Sequence, residues 1–160
     1  LLYGGSVSLE GLPLLVVALR RGPLPGAAAG AVYGVVSFML RPLVIHPVQL
    51  VLDYPAAFGL LGWGAGVAGG PAVGWGGGKW WAGRLRISAG VVLGNGMRLA
   101  AHFVSGIVFF AAYAPVGQPV WVYSLVYNAS YMVPQTLVQL LLAQVLLRVL
   151  VLRGRPAPAG

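Results

Sequence analysis

Cysteine is absent from the 160 residues, which excludes disulfides, thiolate nucleophiles and cysteine metal sites. Acids are nearly absent as well, since Glu10 and Asp53 are the only two. Charged residues of both signs make up 8% of the chain, against about a quarter in soluble domains. No G-x-x-x-x-G-K-[ST] phosphate loop occurs, so this chain does not hydrolyse ATP by itself. No G-x-S-x-G surrounds a serine, and the two histidines and two carboxylates show no paired metal-ligand spacing. There is no recognisable signal peptide and no initiating methionine, from which a missing N-terminal segment is expected.

What is present is apolar: 59% hydrophobic residues and a mean hydropathy of +0.87. This is the composition of an all-α integral membrane protein, with 1–160 as one membrane-embedded domain of about five spans at about 20 residues each. Twenty-five glycines and twelve prolines agree with that reading, because membrane helices tolerate both and use small residues for close contact. The net charge of +8 sits in twos and threes at the ends of apolar runs, not in a stripe interleaved with aromatics, so it marks topology and not nucleic acid.

A first apolar helix runs to about Leu19 and stops at Arg20-Arg21-Gly22-Pro23, with Glu10 near its start. The second, 26–40, carries Gly26, Gly30 and Gly34 at i, i+4, i+8, a ridge for tight helix packing. A turn at 41–47 leads to a third run, 48–69, in which Pro55 is expected to kink the helix beside Asp53. Residues 70–86 read as an irregular interfacial loop with Trp75, Trp80 and Trp81 as belt residues. A fourth run spans 88–113 and a fifth 119–152, the latter interrupted by Pro134, before a frayed tail.

Basic clusters at Arg20/Arg21, Lys79/Arg84/Arg86 and Arg148/Arg153/Arg155 occupy alternate ends of the runs, and the opposite ends carry only Arg41. The positive-inside rule makes those clusters cytoplasmic and residue 1 external, which calls for one more helix upstream and six in the intact protein. At 1.5 Å per residue, Glu10, Asp53, His102, Gly106, Tyr123 and Asn128 then lie about 6 to 16 Å below the outer surface. Arg98 falls on the cytoplasmic side, where it can snorkel. Uncommon polar residues of four helices at one depth imply an outward-facing pocket, because hydrocarbon cannot satisfy such groups.

The richest stretch is 102–134, where one histidine, one asparagine and eight aromatics recur at helical spacing in two helices. Glu10 is either a solvated acid of the first turn or a pocket group. Asp53 pairs with Arg98 or His102, is protonated, or meets a cationic ligand among Tyr54, Phe58, Phe110 and Trp121. His102 with Ser105 leaves an intramembrane enzyme as a competing reading, and a purely structural subunit as a third.

Gly-Gly-Ser-Val-Ser-Leu-Glu at 4–10, Leu-Arg-Arg-Gly at 19–22, His-Pro-Val-Gln-Leu-Val-Leu-Asp-Tyr-Pro-Ala-Ala-Phe at 46–58, His-Phe-Val-Ser-Gly at 102–106, and Tyr-Ala-Pro followed by Tyr-Ser-Leu-Val-Tyr-Asn at 123–128 carry a further signal. Together they resemble the thiamine-specific substrate-binding (S) subunits of energy-coupling factor (ECF) vitamin importers. The resemblance implies a six-helix bundle, here about five helices with the first missing, in the bacterial plasma membrane. It implies thiamine as cargo, no cofactor, no catalytic residue, and as partners a transmembrane coupling subunit, two ATP-binding subunits and membrane lipid. It also implies thiamine contacts from Asp53, Tyr54, His102, Gly106, Phe110, Tyr123 and Asn128, with Glu10 in a matching segment. Phe110 stands where some members have tryptophan and Asp53 where some have glutamate, and a different vitamin or a thiamine precursor is the alternative ligand.

Overall fold

A computed structural model describes residues 7–70 and 80–153, with the side chains of 80 and 147–153 left aside. The described residues form five helices and no strand: α1 (Gly11–Arg21), α2 (Pro23–Leu40), α3 (Pro47–Gly69), α4 (Trp80–Phe109) and α5 (Val120–Arg153). The last four are long and apolar enough to cross a membrane. At 11 residues α1 rises only about 16 Å, less than the hydrocarbon thickness, so four spans replace the expected five among the described residues.

Leu12, Leu15, Ala18 and Leu19 put one apolar face of α1 into the core. The helix ends because Gly22 takes φ 97, a backbone a side chain resists, and Pro23 opens α2 at a position where its missing N–H costs nothing. Of the α2 residues, Gly26, Gly30 and Gly34 are the buried ones, as the spacing predicts. A β-carbon on Gly26 would lie 2.6 Å from the Gly62 carbonyl oxygen, and one on Gly34 would lie 2.5 Å from that of Tyr54, so α2 and α3 meet backbone to backbone. Gly90 and Gly94 bring α4 onto the other side of α3 against Ala65 and Leu61. The apolar core, with Leu15, Leu19, Leu61, Ala65, Ile87 and Val91, sits beside these contacts.

Pro55 acts as expected on the helix but through a defined device: residues Leu52–Ala56 form a π-turn. Proline has no N–H and its ring crowds the carbonyl four residues back, so the ladder widens, and the Ala57 N–H bonds to the Leu52 carbonyl.

Three boundaries differ from the sequence reading. Helix α4 already includes Trp80, so 80–86 belong to a helix and not to the interfacial loop. Among residues 80–86 only Gly83 is a poor helix former. Its other end stops at Phe109, and a 3-10 turn at Ala111–Tyr113 follows. Helix α5 runs without interruption through Pro134, and on either side of it the Ser130 and Thr136 hydroxyls bond back to the Tyr127 and Met132 carbonyls of their own helix. Trp75, Lys79 and the expected frayed tail lie outside the described residues. Trp81 is exposed on α4.

Candidate functional site

A cavity of about 210 Å³ opens between the segment that leads into α1 and helices α2 to α5, at the end that carries the 41–46 connection and the 111–119 turn. All eight residues singled out from the sequence line it: Glu10, Asp53, Tyr54, His102, Gly106, Phe110, Tyr123 and Asn128. Ser8, Ser37, Arg41, Leu43, Gln49, Phe58, Arg98, Ser124, Tyr127 and Tyr131 complete the wall.

The π-turn of α3 carries Asp53 and Tyr54, where the widened backbone presents two consecutive side chains to the cavity wall. Asp53 is held by three side chains. Its Oδ2 accepts from Gln49 Nε2 at 2.7 Å and from Ser105 Oγ at 3.0 Å, and its Oδ1 lies 3.0 Å from His102 Nδ1. Arg98 Nε donates to His102 Nε2 at 3.3 Å, which requires a lone pair on Nε2. His102 is therefore the neutral tautomer with its proton on Nδ1, donating to Asp53.

Of the options open for Asp53, the structure takes the pair with His102. Arg98 does not snorkel toward the membrane surface. It is 8% exposed, lies in the cavity wall, and its guanidinium sits 4.2 Å from the Phe58 ring centre. Burial of a permanent cation is tolerated here because an imidazole nitrogen and an aromatic face receive it.

Glu10 is not a freely solvated acid. Tyr33 Oη donates to its Oε2 at 2.7 Å, and Arg41 approaches Oε1 to 3.7 Å at the cavity mouth. Two carboxylates thus face two guanidiniums around the cavity, with His102 neutral. The Tyr54 hydroxyl is committed to the 41–46 connection, accepting from the Leu43 N–H at 3.0 Å and donating to the Arg41 carbonyl at 2.8 Å.

The far wall comes from α5. Tyr123 and Tyr127 stack with centres 6.1 Å apart, and Tyr131 meets Tyr127 edge-on at 5.8 Å. Asn128 donates to the Ser124 carbonyl at 2.9 Å and the His102 carbonyl at 3.3 Å, and accepts from Tyr131 Oη at 2.7 Å. Gly106 allows the close approach of α4 and α5, since a β-carbon there would strike the Ser124 side chain. Trp121, expected beside a cation, is 56% exposed and outside the cavity, because its position on α5 points away from Tyr123 and Tyr127.

This arrangement lacks the geometry of nucleophilic catalysis. Ser105 and His102 both donate to Asp53, and no hydrogen bond joins them to each other. Among the described residues no group of three His, Asp or Glu side chains comes together. What the cavity offers is recognition: a bonded carboxylate, a buried guanidinium and aromatic faces.

The sequence does not by itself assign Gln49, Tyr127 or Tyr131 to the site, and its depth arithmetic puts Arg98 on the cytoplasmic side. The usable signal was i, i+4 spacing, which pairs Gln49 with Asp53 and Arg98 with His102 on single helix faces.

Comparison with known proteins places the chain among its relatives. Residues 1–152 match the family described as thiamine transporter protein (Thia_YuaJ). The chain is 41% identical over 141 residues to the thiamine transporter ThiT of Bacillus subtilis, covering 84% of this chain and 71% of that protein. It is 38% identical over 143 residues to ThiT of Lacticaseibacillus paracasei, covering 86% and 71% respectively. A solved structure of ThiT from Listeria monocytogenes superposes with a TM-score of 0.77 at 25% identity, over 92% of this chain and 83% of that one. A match over nearly the whole length, on a fold with four membrane-capable helices, makes this chain a multi-pass bacterial cell-membrane protein belonging to the thiamine transporter (Thia_YuaJ) family.

Proposed function

We propose that the chain is the thiamine-binding membrane subunit of an ECF importer, with its cavity open to the outside of the cell. The observation that carries this reading is the Asp53 carboxylate, held by Gln49, His102 and Ser105 in a cavity whose far wall is a tyrosine ladder. Thiamine joins an aminopyrimidine, which donates hydrogen bonds, to a thiazolium, which is a fixed cation. Asp53 accepts from the first, and the faces of Phe110, Tyr123 and Tyr127 receive the second, with Glu10 adding negative potential at the mouth. Tyr54, His102, Gly106 and Asn128 shape the cavity around the ligand.

The outward orientation is supported by charge. Arg20, Arg21, Arg84 and Arg86 lie at the end remote from the cavity, and among the described basic residues Arg41 alone lies at its mouth. With no nucleotide motif of its own, the chain depends on a transmembrane coupling subunit and two ATPases to move its cargo.

Tryptophan-fluorescence titration of the purified full-length protein with thiamine, its phosphates and its separate ring halves tests the ligand. Saturable one-to-one thiamine binding is expected, and its absence, or tighter binding of a half molecule, overturns the assignment. Orientation is read by single cysteines at Val116 and Gly83 in this cysteine-free chain. Labelling of position 116 alone from outside whole cells is expected, and the reverse pattern inverts the topology.

A further inference from the structure

Gln49 is fully buried, at 0% exposure, and lies one helical turn before Asp53. Its Nε2 donates to Asp53 Oδ2 at 2.7 Å and to the Leu43 carbonyl at 3.3 Å, while its Oε1 accepts from the Ile45 N–H at 3.0 Å. One amide therefore bridges the carboxylate of the cavity to the backbone of the 41–46 connection. That connection is fastened again by the Tyr54 hydroxyl and by His46, whose ring stacks on Phe109 with centres 5.0 Å apart. Leu43 and Arg41 of the same connection line the cavity.

The count of lone pairs gives this bridge a consequence. A carboxylate offers about four acceptor sites, two on each oxygen. On Asp53, Gln49 and Ser105 occupy both sites of Oδ2, and His102 occupies one of Oδ1. We propose that Gln49 is a positioning residue of the thiamine site: by saturating Asp53 Oδ2 and tying it to residues 43 and 45, it leaves a single acceptor, on Oδ1, for a ligand N–H. This rests on the reading of the cavity as a thiamine site. It makes Asp53 selective for one well-aimed donor, where an unrestrained carboxylate would rotate and accept from many.

The test pairs Gln49→Met, which keeps length and loses both hydrogen-bonding atoms, with Gln49→Glu, which keeps an acceptor for the Ile45 N–H and loses the donor toward Asp53. In the full chain, Gln49→Met is expected to weaken thiamine binding about tenfold, as befits loss of a charge-assisted hydrogen bond that orients the acceptor. In an Asp53→Asn background the same change is expected to cost less than about twofold, because there is no carboxylate left to position. Fully additive losses, or wild-type affinity in Gln49→Met, overturn the proposal.

A ligand-free measurement separates this idea from the assignment of thiamine. Backbone amide exchange at Ile45 is expected to accelerate about tenfold or more in Gln49→Met and to stay slow in Gln49→Glu. Unchanged exchange in Gln49→Met removes the tie whatever the ligand. Wild-type protein that binds no thiamine while Ile45 behaves as expected refutes the ligand and leaves the bridge standing.

Discussion

Helices α2 and α3 cross differently from α4 and α5. At the first crossing glycines let main chain touch main chain, with the Gly26, Gly30 and Gly34 ridge set against the α3 backbone from Tyr54 to Gly62. At the second crossing side chains mediate: Asn95 Nδ2 donates to Gln139 Oε1 at 2.9 Å, Ser124 Oγ to the Phe103 carbonyl at 2.9 Å, and Asn128 to the His102 carbonyl. Lipid tails are as apolar as leucine, so membrane helices associate either by close packing or by hydrogen bonds between them. Here the two solutions are separated. The glycine crossing makes a stiff frame that holds the π-turn, and the polar crossing leaves the room and the chemistry for a cavity.

Breaking the frame should have the largest effect. Gly62→Ala places a methyl against the Gly26 backbone, which cannot move aside as a side chain would, and is expected to cost about 1 to 3 kcal/mol or more of stability. The melting temperature should fall while thiamine affinity of the folded fraction stays within about twofold. A loss of affinity without a loss of stability would show that the frame and the cavity are not separable.

Asp53→Asn attacks the chemistry of the cavity. Binding should weaken about ten- to a hundredfold, since a charge-assisted hydrogen bond contributes roughly 1.5 to 3 kcal/mol. Stability without ligand should also drop, because Gln49, His102 and Ser105 would aim donors at an amide where a carboxylate had been. Wild-type affinity with reduced stability would assign Asp53 to structure alone.

Phe110→Ala should weaken thiamine at least about tenfold, and Phe110→Trp should hold or improve it, measured by the same titration. Equal affinity for all three would take Phe110 out of the contact set.

The smallest effect is expected at the polar crossing below the cavity. Asn95→Leu removes the bond to Gln139 together with a buried carbonyl oxygen that has no partner, Asn95 Oδ1. Interhelical hydrogen bonds in membranes average about 0.6 kcal/mol, so the change in melting should be slight and the affinity unaltered. A destabilisation as large as that of Gly62→Ala would erase the distinction between the two crossings.

Membrane residence, the number of helices, the α2 glycine ridge and eight of the residues that line the cavity were legible in the sequence. Hydropathy and 3.6-residue periodicity are local properties, and a lipid environment punishes polar groups so strongly that each exception marks a place of use. Ser105, Gln49 and Arg98 were also visible as residues, but their roles were not. The sequence reading considered Arg98 as a partner for Asp53 and Trp121 as a wall of the cavity. The rotation of α4 about its axis sends Arg98 inward onto Phe58 and His102, and the rotation of α5 sends Trp121 out. Only the tertiary structure decided these points, because rotation is set by how every helix packs on its neighbours. A β-carbon too many at Gly34 or Gly106 would change which atoms face Asp53, and no local pattern contains that information.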